Sequence, residues 1–202
     1  EKKLEPVIYN FEYLLQLLDH KKTGANIPPI HIEIDTGMHR LGFEPEKIDD
    51  LIDLLKKEKG IEIKSIFSHL AASDEPEMDA FTKEQLDVFK KTSNKIEKAL
   101  GKSFLKHIAN SAAASRFKDA TFDMIRLGVG LYGVGADETE QVKLQPVVQL
   151  FSTITQITSI KKGSSVGYGR SYIADKDMKI ATVPIGYADG YRRSLGNGKA
   201  RP

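Results

Sequence analysis

The sequence predicts an α/β protein: an incomplete (β/α)8 barrel of the TIM type, followed by part of an all-β domain. Three observations support this prediction. Short apolar segments alternate with helical stretches as far as residue 134, the predicted strands end in polar residues, and the helical period then disappears. Alternating strands and helices are typical of a parallel sheet with right-handed crossover connections. The carboxyl ends of such strands are where a barrel carries its chemistry.

Each strand is predicted from a short apolar or alternating run, and each helix from apolar residues at helical spacing. The predicted strands are 6–9, 31–34, 61–67, 104–108 and 124–132, and the predicted helices are 11–18, 44–59, 77–100 and 112–117. Asn10 is predicted to cap the first helix and Gly101 to end the third. A closed barrel needs eight strands, so either three strands precede residue 1 or the sheet is open.

The predicted domain organisation has three parts. The α/β barrel part spans 1–134, a polar and acidic linker spans 135–143, and the start of the β domain spans 144–202. Residues 147–160 and 180–185 are rich in Val, Ile and Thr, and glycines lie between them. This composition indicates β structure rather than helix.

The composition excludes several classes of protein. The chain has 30 basic and 28 acidic residues, so its charge predicts no nucleic-acid partner and no membrane surface. No apolar run approaches the ~18–20 residues of a membrane-spanning helix. Cysteine is absent, which excludes disulfides and thiolate chemistry. We therefore expect a cytoplasmic protein, and we predict no metal site.

Polar residues at the predicted strand ends form the candidate site. They are Arg40, His69, Asn110, Ser111 and Arg126. The carboxyl ends of parallel strands share one edge, so five such coincidences favour a functional site over separate structural roles. Arg126 lies inside an apolar segment, where a buried charge needs a partner, and a structural ion pair is the alternative explanation.

Two local motifs are weak on their own. Residues 35–37 match the Asp-Thr-Gly triplet of aspartic proteases, but no second triplet supplies the carboxylate that this chemistry requires. Residues 128–133 fit the pattern GxGxxG, but no helix follows to receive a pyrophosphate. The glycine-rich backbone there could still hold one phosphate.

Six stretches together resemble the alanine racemases, which are pyridoxal-phosphate (PLP) enzymes with an α/β barrel and a C-terminal β domain. They occur in family order and are HIEIDTGMHRLGF, FSHLAASDE, HIANSAAASRF, MIRLGVGLYGV, SVGYGRSY and VPIGYADGYRR. The resemblance implies about the second half of the barrel and the start of the β domain. It implies a racemase that interconverts L-alanine and D-alanine by two-base proton transfer at Cα, for peptidoglycan.

The resemblance assigns catalytic roles to Tyr168, His69, Arg126 and Arg40. Arg126 matches the arginine that faces the pyridine nitrogen of PLP, and a guanidinium does not give up its proton. Tyr168 matches the tyrosine that serves as one of the two bases. In the family that tyrosine reaches the site of the neighbouring subunit, so the resemblance implies a homodimer. His69 and Arg126 match residues in a hydrogen-bonded chain to that tyrosine.

Binding roles are assigned in the same way. Ser111, Gly128 and Val129 match the phosphate-binding positions, and Asn110 supports that loop. Arg40 matches the arginine near the phenolic oxygen of PLP and the substrate carboxylate. The residues implied to contact substrate are Arg40, Tyr168 and Tyr187, the last lining the entrance.

The sequence departs from the family pattern at two points. The Schiff-base lysine belongs to a barrel strand that these 202 residues do not contain, so we expect this piece alone to be inactive. Glu33 stands where many members carry a carbamylated lysine, and its carboxylate could orient Arg40 in the same way. The alternatives are a racemase for serine or of broad specificity, and a non-catalytic PLP-binding barrel protein.

Overall fold

The computed structural model describes residues 4–196. The chain divides into two compact units, with the boundary between Val147 and Val148. The predicted β domain extends to residue 202, so its last six residues lie outside the described part. Within residues 4–196, no helix combines the length and apolar character needed to cross a membrane.

The first unit contains a four-stranded parallel sheet in the order β1-β2-β3-β4. The strands are β1 (Val7–Ile8), β2 (Ile30–Glu33), β3 (Ile63–Phe67) and β4 (Leu105–His107). Sequential strands are neighbours, as expected when a helix crosses over between each pair. The predicted α/β class and four of the five predicted strands are confirmed.

Three α-helices connect these strands, and two more follow β4 within the described residues. They are α1 (Phe11–Lys22), α2 (Ile48–Lys57), α3 (Asp79–Leu100), α4 (Ser111–Arg116) and the short α5 (Glu138–Gln141). The side chain of Asn10 accepts a hydrogen bond of 2.8 Å from the backbone of Tyr13, which confirms the predicted cap of α1. Gly101 ends α3 in the left-handed conformation at φ 62°, as predicted. Helix α5 lies within the predicted linker.

The hydrophobic core lies on one face of the sheet. Ile30 and Ile32 of β2, and Ile34 just after it, are almost completely buried against the helices. Leu51 and Phe89 are buried on those helices. Each such side chain stabilises the fold by about 1.5–3 kcal/mol through its removal from water.

The opposite face of the sheet carries polar side chains. Residues paired across neighbouring parallel strands point to the same side, and the pairs here are His31 with Ser65 and Phe67 with His107. We call this side, with His31, Glu33, Ser65 and His107, the polar sheet face. Glu33 and His107 are the last residues of β2 and β4, so the polar sheet face extends to the carboxyl ends of the strands.

The prediction of a fifth strand at 124–132 is wrong. The Arg126 N–H bonds to the carbonyl of Ala109 at 3.0 Å, and residues Val129–Tyr132 then form a 3-10 turn. The N–H groups of Gly128 and Gly130 bond to the hydroxyl of Ser111 instead of to a neighbouring strand. Because a side chain takes these donors, the apolar segment does not form a ladder.

The second unit contains only strands and 3-10 turns within its described residues. Strand β5 (Gln156–Ile160) pairs antiparallel with β8 (Met178–Thr182), and β6 (Ser165–Val166) pairs with β7 (Tyr172–Ile173). The predicted all-β character is confirmed, although β5 begins at Gln156, later than the β-rich composition from residue 147 suggests.

Candidate active site

The site lies at the carboxyl ends of the parallel strands in the first unit. Arg40 follows β2, His69 follows β3, and Asn110 and Ser111 follow β4. Arg126 reaches the same edge because its backbone bonds to Ala109, just beyond β4. The five residues predicted from their positions at strand ends are therefore all placed at one edge of the sheet.

Arg126 is the hydrogen-bonding centre of the site. Its Nη2 donates to the carbonyl of Ser68 at 2.6 Å and to Nδ1 of His69 at 3.2 Å. Its Nη1 donates to Nδ1 of His107 and, at 3.4 Å, to the carbonyl of the same residue. The guanidinium also lies 5.1 Å from the ring centre of Phe67, a cation–π contact. These partners on two strand ends fix the guanidinium in one plane.

The contact with Arg126 determines where His69 carries its proton. A guanidinium only donates hydrogen bonds, so Nδ1 of His69 must accept and the ring hydrogen lies on Nε2. Burial lowers the pKa of His69, and the positive charges of Arg126 and Arg40 lower it further. His69 is therefore neutral near pH 7 and presents an N–H donor on the side away from Arg126.

Glu33 supplies negative charge beneath these cations. It is buried, and burial raises the pKa of its carboxyl group, whereas Arg40 and Arg126 act in the opposite direction. Within residues 4–196 none of the ion pairs closer than 4.0 Å involves its carboxylate. Its influence on Arg40 and Arg126 is thus electrostatic rather than a direct contact.

Arg40 is carried on a tightly constrained loop. The Asp35 carboxylate accepts hydrogen bonds from the backbone of Gly37 at 2.9 Å and of His39 at 3.0 Å, and it lies 3.0 Å from the His39 ring. These bonds lower the pKa of Asp35 despite its burial. Gly42 has φ 121°, and a Cβ there would lie 2.4 Å from the Asp35 nitrogen. The backbone of the loop is therefore fixed on both sides of Arg40, whose side chain is exposed.

Ser111 forms the other end of the site. Its Oγ accepts hydrogen bonds from the N–H of Gly128 at 2.8 Å and of Gly130 at 3.3 Å. Asn110 caps α4 by accepting from Ala113 at 2.9 Å, and it also accepts from the Ser73 hydroxyl at 2.8 Å. A cleft of about 590 Å³ extends from Ser111 to Arg126 and His69 and is also lined by Gly128 and Val129.

Tyr168 and Tyr187 lie in the second unit. Tyr168 begins a 3-10 turn that follows β6, and its side chain is fully exposed. Tyr187 begins another 3-10 turn, is largely exposed, and has the Arg193 guanidinium 5.9 Å from its ring centre. Both tyrosines are thus on surface turns of their own unit.

Sequence reasoning missed His107, Ser65 and His31 as part of the site. Nδ1 of His107 accepts from Arg126, its Nε2 lies 3.1 Å from the Ser65 hydroxyl, and that hydroxyl lies 2.6 Å from Nδ1 of His31. The alternation within three predicted parallel strands could have placed these residues on one face. The pairing register that brings them into contact is a tertiary property.

Comparison with known proteins matches both parts of the chain. The family model "Alanine racemase, N-terminal domain" matches residues 1–136, and "Alanine racemase, C-terminal domain" matches residues 147–201. Alanine racemase 1 of Bacillus subtilis is 37% identical over 192 residues, which are 93% of this chain and 48% of that protein. The chain spans about half the length of the curated relatives it matches.

Solved structures agree with this match. The alanine racemase of Streptomyces coelicolor superposes with a TM-score of 0.83 at 26% identity and covers 97% of this chain and 53% of its own. The alanine racemase of Bartonella henselae was solved with covalently bound pyridoxal phosphate. It superposes with a TM-score of 0.76 at 29% identity, and the match covers 96% of this chain and 52% of that chain. The resemblance identified in the sequence is confirmed: this chain belongs to the alanine racemase family.

Proposed function

We propose that the protein of which this chain is part is a PLP-dependent alanine racemase that interconverts L-alanine and D-alanine. The observation that carries the proposal is the guanidinium of Arg126, which is bonded to His69 and lies in the same cleft as Ser111. A fixed cation at one end and a hydroxyl donor at the other suit a flat, anionic cofactor.

The residues of the cleft fit the phosphate of PLP. The Ser111 hydroxyl accepts two backbone N–H bonds, so its own hydrogen is directed away from them and can be donated to a phosphate oxygen. A Cβ on residue 130 would lie 3.1 Å from Cβ of Ser111, so glycine keeps this approach open. Ser111, Gly128 and Val129 would hold the phosphate, and Asn110 would hold the loop through its cap.

Arg126 fits the ring nitrogen of the cofactor. Its Nη1 and Nη2 groups donate hydrogen bonds to Ser68, His69 and His107. Its Nε–H makes no hydrogen bond within residues 4–196. Nε–H is therefore the donor that we assign to the pyridine nitrogen. Bound PLP supplies an electron sink that acidifies the Cα–H bond of an amino acid. Arg126 keeps its own proton, so the ring nitrogen facing it would stay unprotonated.

Arg40 and Tyr168 complete the assignment. Arg40, held near Glu33 and His69, would bind the phenolic oxygen of PLP and the substrate carboxylate. Tyr168 would act as one base at Cα and His69 would donate its Nε2–H toward that phenol, which favours the phenolate. Tyr187 would line the entrance. We propose that Tyr168 acts in the site of the other subunit of a homodimer, in the cytoplasm, where D-alanine would be supplied for peptidoglycan.

We also retain the proposed domain organisation. The barrel part is 1–134, the linker is 135–143, and the β domain begins at 144. Helix α5 and its Asp137 cap would then belong to the linker.

The test is a racemisation assay of the full-length protein after loading with PLP. We expect either alanine enantiomer to be converted to an equal mixture of both, with serine converted more slowly. Conversion of serine in preference to alanine would indicate the related racemase, and no conversion with PLP bound would contradict the proposed function.

Subunit mixing tests the role of Tyr168. Tyr168→Phe and Arg126→Glu homodimers should each racemise alanine far more slowly than the wild type, but a heterodimer would contain one site with both native residues if Tyr168 crosses the interface. We expect activity to return on mixing. Inactive mixtures that demonstrably contain heterodimers would contradict a crossing tyrosine.

A further inference from the structure

A continuous series of hydrogen bonds runs down the polar sheet face from Arg126. It passes from the guanidinium to His107, from His107 to Ser65 at 3.1 Å, from Ser65 to His31 at 2.6 Å, and from His31 to Glu5 at 3.0 Å. One residue comes from each of β4, β3 and β2. No role for His31, Ser65 or Glu5 follows from the catalytic assignments above.

The direction of every bond in this series can be deduced from its first member. Arg126 only donates, so Nδ1 of His107 accepts and its ring hydrogen lies on Nε2. That N–H donates to the Ser65 hydroxyl. Ser65 is buried with 1% exposure, and its Oγ has no hydrogen-bond partner besides the two histidines within residues 4–196.

The same reasoning extends to His31. A buried hydroxyl hydrogen needs an acceptor, and His107 is already donating, so Ser65 must donate to Nδ1 of His31. The hydrogen of His31 then lies on Nε2 and is donated to the Glu5 carboxylate. Every donor in the series therefore points away from Arg126, and the series ends on an anion.

We propose that His107, Ser65 and His31 are positioning residues for Arg126, joined in one directional hydrogen-bond chain that ends on Glu5. The chain keeps an acceptor, rather than a donor, beneath Nη1 of Arg126. The guanidinium is thereby held between this chain on one side and His69 on the other. The inference rests on the proposed function for its catalytic consequence, but the direction of the chain does not depend on that function.

Two further observations support the chain. The rings of Phe67 and His107 stack with centres 4.8 Å apart, so packing fixes the plane of the imidazole. Burial, together with Arg126 and His31, lowers the pKa of His107 to about 4. His107 is thus neutral at physiological pH, as an acceptor for a guanidinium must be.

The experiment measures histidine tautomers by imidazole nitrogen NMR on the PLP-loaded full-length protein with 15N-labelled histidine. His31→Asn and His107→Gln variants assign the signals. We expect both residues to carry the hydrogen on Nε2 alone at neutral pH. A wild-type protein in which either residue carries it on Nδ1 would overturn the proposal, whether or not any variant folds.

Ser65→Ala tests the connection between the two histidines. We expect the 15N signal of the unprotonated Nδ1 of His31 to shift, because it loses the hydroxyl donor, while the Glu5 carboxylate keeps the hydrogen on Nε2. His107 should keep its tautomer. Ser65→Thr should restore the wild-type His31 signals. Ser93→Ala, which removes another buried serine hydroxyl in α3, is the matched control and should leave both residues unchanged. Unchanged His31 signals in Ser65→Ala would refute the proposed hydrogen-bond chain.

Activity provides the second readout. We expect Ser65→Ala to lower kcat several-fold with little change in KM for alanine, whereas Ser93→Ala should not lower it. A protein with the expected tautomers but no racemase activity would leave the chain intact and contradict the proposed function. An active racemase in which His31 or His107 carries its hydrogen on Nδ1 would contradict the hydrogen-bond chain but not the proposed function.

Discussion

Nη2 of Arg126 lies 3.2 Å from Nδ1 of His69, although the two residues are separated by 57 positions in the sequence. The contact forms because both residues follow neighbouring parts of one parallel sheet. It makes His69 an acceptor toward the guanidinium and a donor on its other side. The proposed chemistry depends on this arrangement, since it combines a permanent cation with a neutral imidazole.

Replacing the cation should change the reaction specificity. We expect Arg126→Glu in the full-length protein to lower racemisation and to raise transamination, because a carboxyl group can protonate the ring nitrogen and make the cofactor a stronger electron sink. The measurement is the ratio of pyruvate formed to alanine racemised. Arg116→Glu, which alters an arginine bonded to Asp79, is a control for a lost arginine. A ratio that does not rise in Arg126→Glu would count against the role of the guanidinium.

The stability should depend on pH through His107. The pKa of this residue is lowered from 6.5 to about 4 in the folded protein, so the unfolded chain binds more protons between these values. The contribution of neutral His107 is therefore complete above pH 6.5 and is lost as the pH falls towards about 4. Its size is at most about 3 kcal/mol.

The check is the free energy of unfolding of wild type and His107→Gln between neutral and acidic pH. Glutamine can accept from Arg126 and donate to Ser65, but it does not titrate. We expect the wild type to lose more stability than the variant over this range. Parallel curves for the two proteins would show that His107 is not the responsible group.

The loop that carries Arg40 should be sensitive to the smallest addition at Gly42. A Cβ there would lie 2.4 Å from the backbone nitrogen of Asp35, and the φ of 121° is unfavourable for alanine. We expect Gly42→Ala to destabilise the protein by more than about 2 kcal/mol. Gly24→Ala also has positive φ, at 84°, but no atom within 4 Å of the added carbon, so it should cost about 1 kcal/mol or less. Equal losses in thermal or urea unfolding would refute the close approach.

Glu33 should matter through its charge. We expect Glu33→Gln to weaken racemase activity in the full-length protein, because the substitution removes the buried anion that acts on Arg40 and Arg126. Glu62→Gln removes an exposed carboxylate just before β3 and serves as the control. Kinetic constants that match the wild type in Glu33→Gln would rule out an electrostatic role.

Local signals in the sequence predicted most of the secondary structure. Asn10 and Gly101 mark helix ends because capping is a short-range interaction. The prediction of a strand at 124–132 fails because the pattern is apolar, whereas the backbone donors of Gly128 and Gly130 bond to Ser111, 17 and 19 positions away in the sequence. Composition and periodicity do not contain that contact.

The site was predicted in part for the same reason. Strand ends are visible in the sequence, so Arg40, His69 and Arg126 could be placed at one edge. The contacts of His107 with Arg126 and Ser65 depend on the register of three strands, which alternation alone does not determine.

The proximity of the Arg126 guanidinium to the pyridine nitrogen of PLP tests the proposed function most directly. It can be measured by nitrogen NMR of the full-length protein loaded with cofactor that is 15N-labelled in the ring. We expect an unprotonated, hydrogen-bonded nitrogen from weakly acidic to weakly alkaline pH, and a change of that signal in Arg126→Glu. A protonated ring nitrogen in the wild type, or a signal indifferent to residue 126, would contradict it.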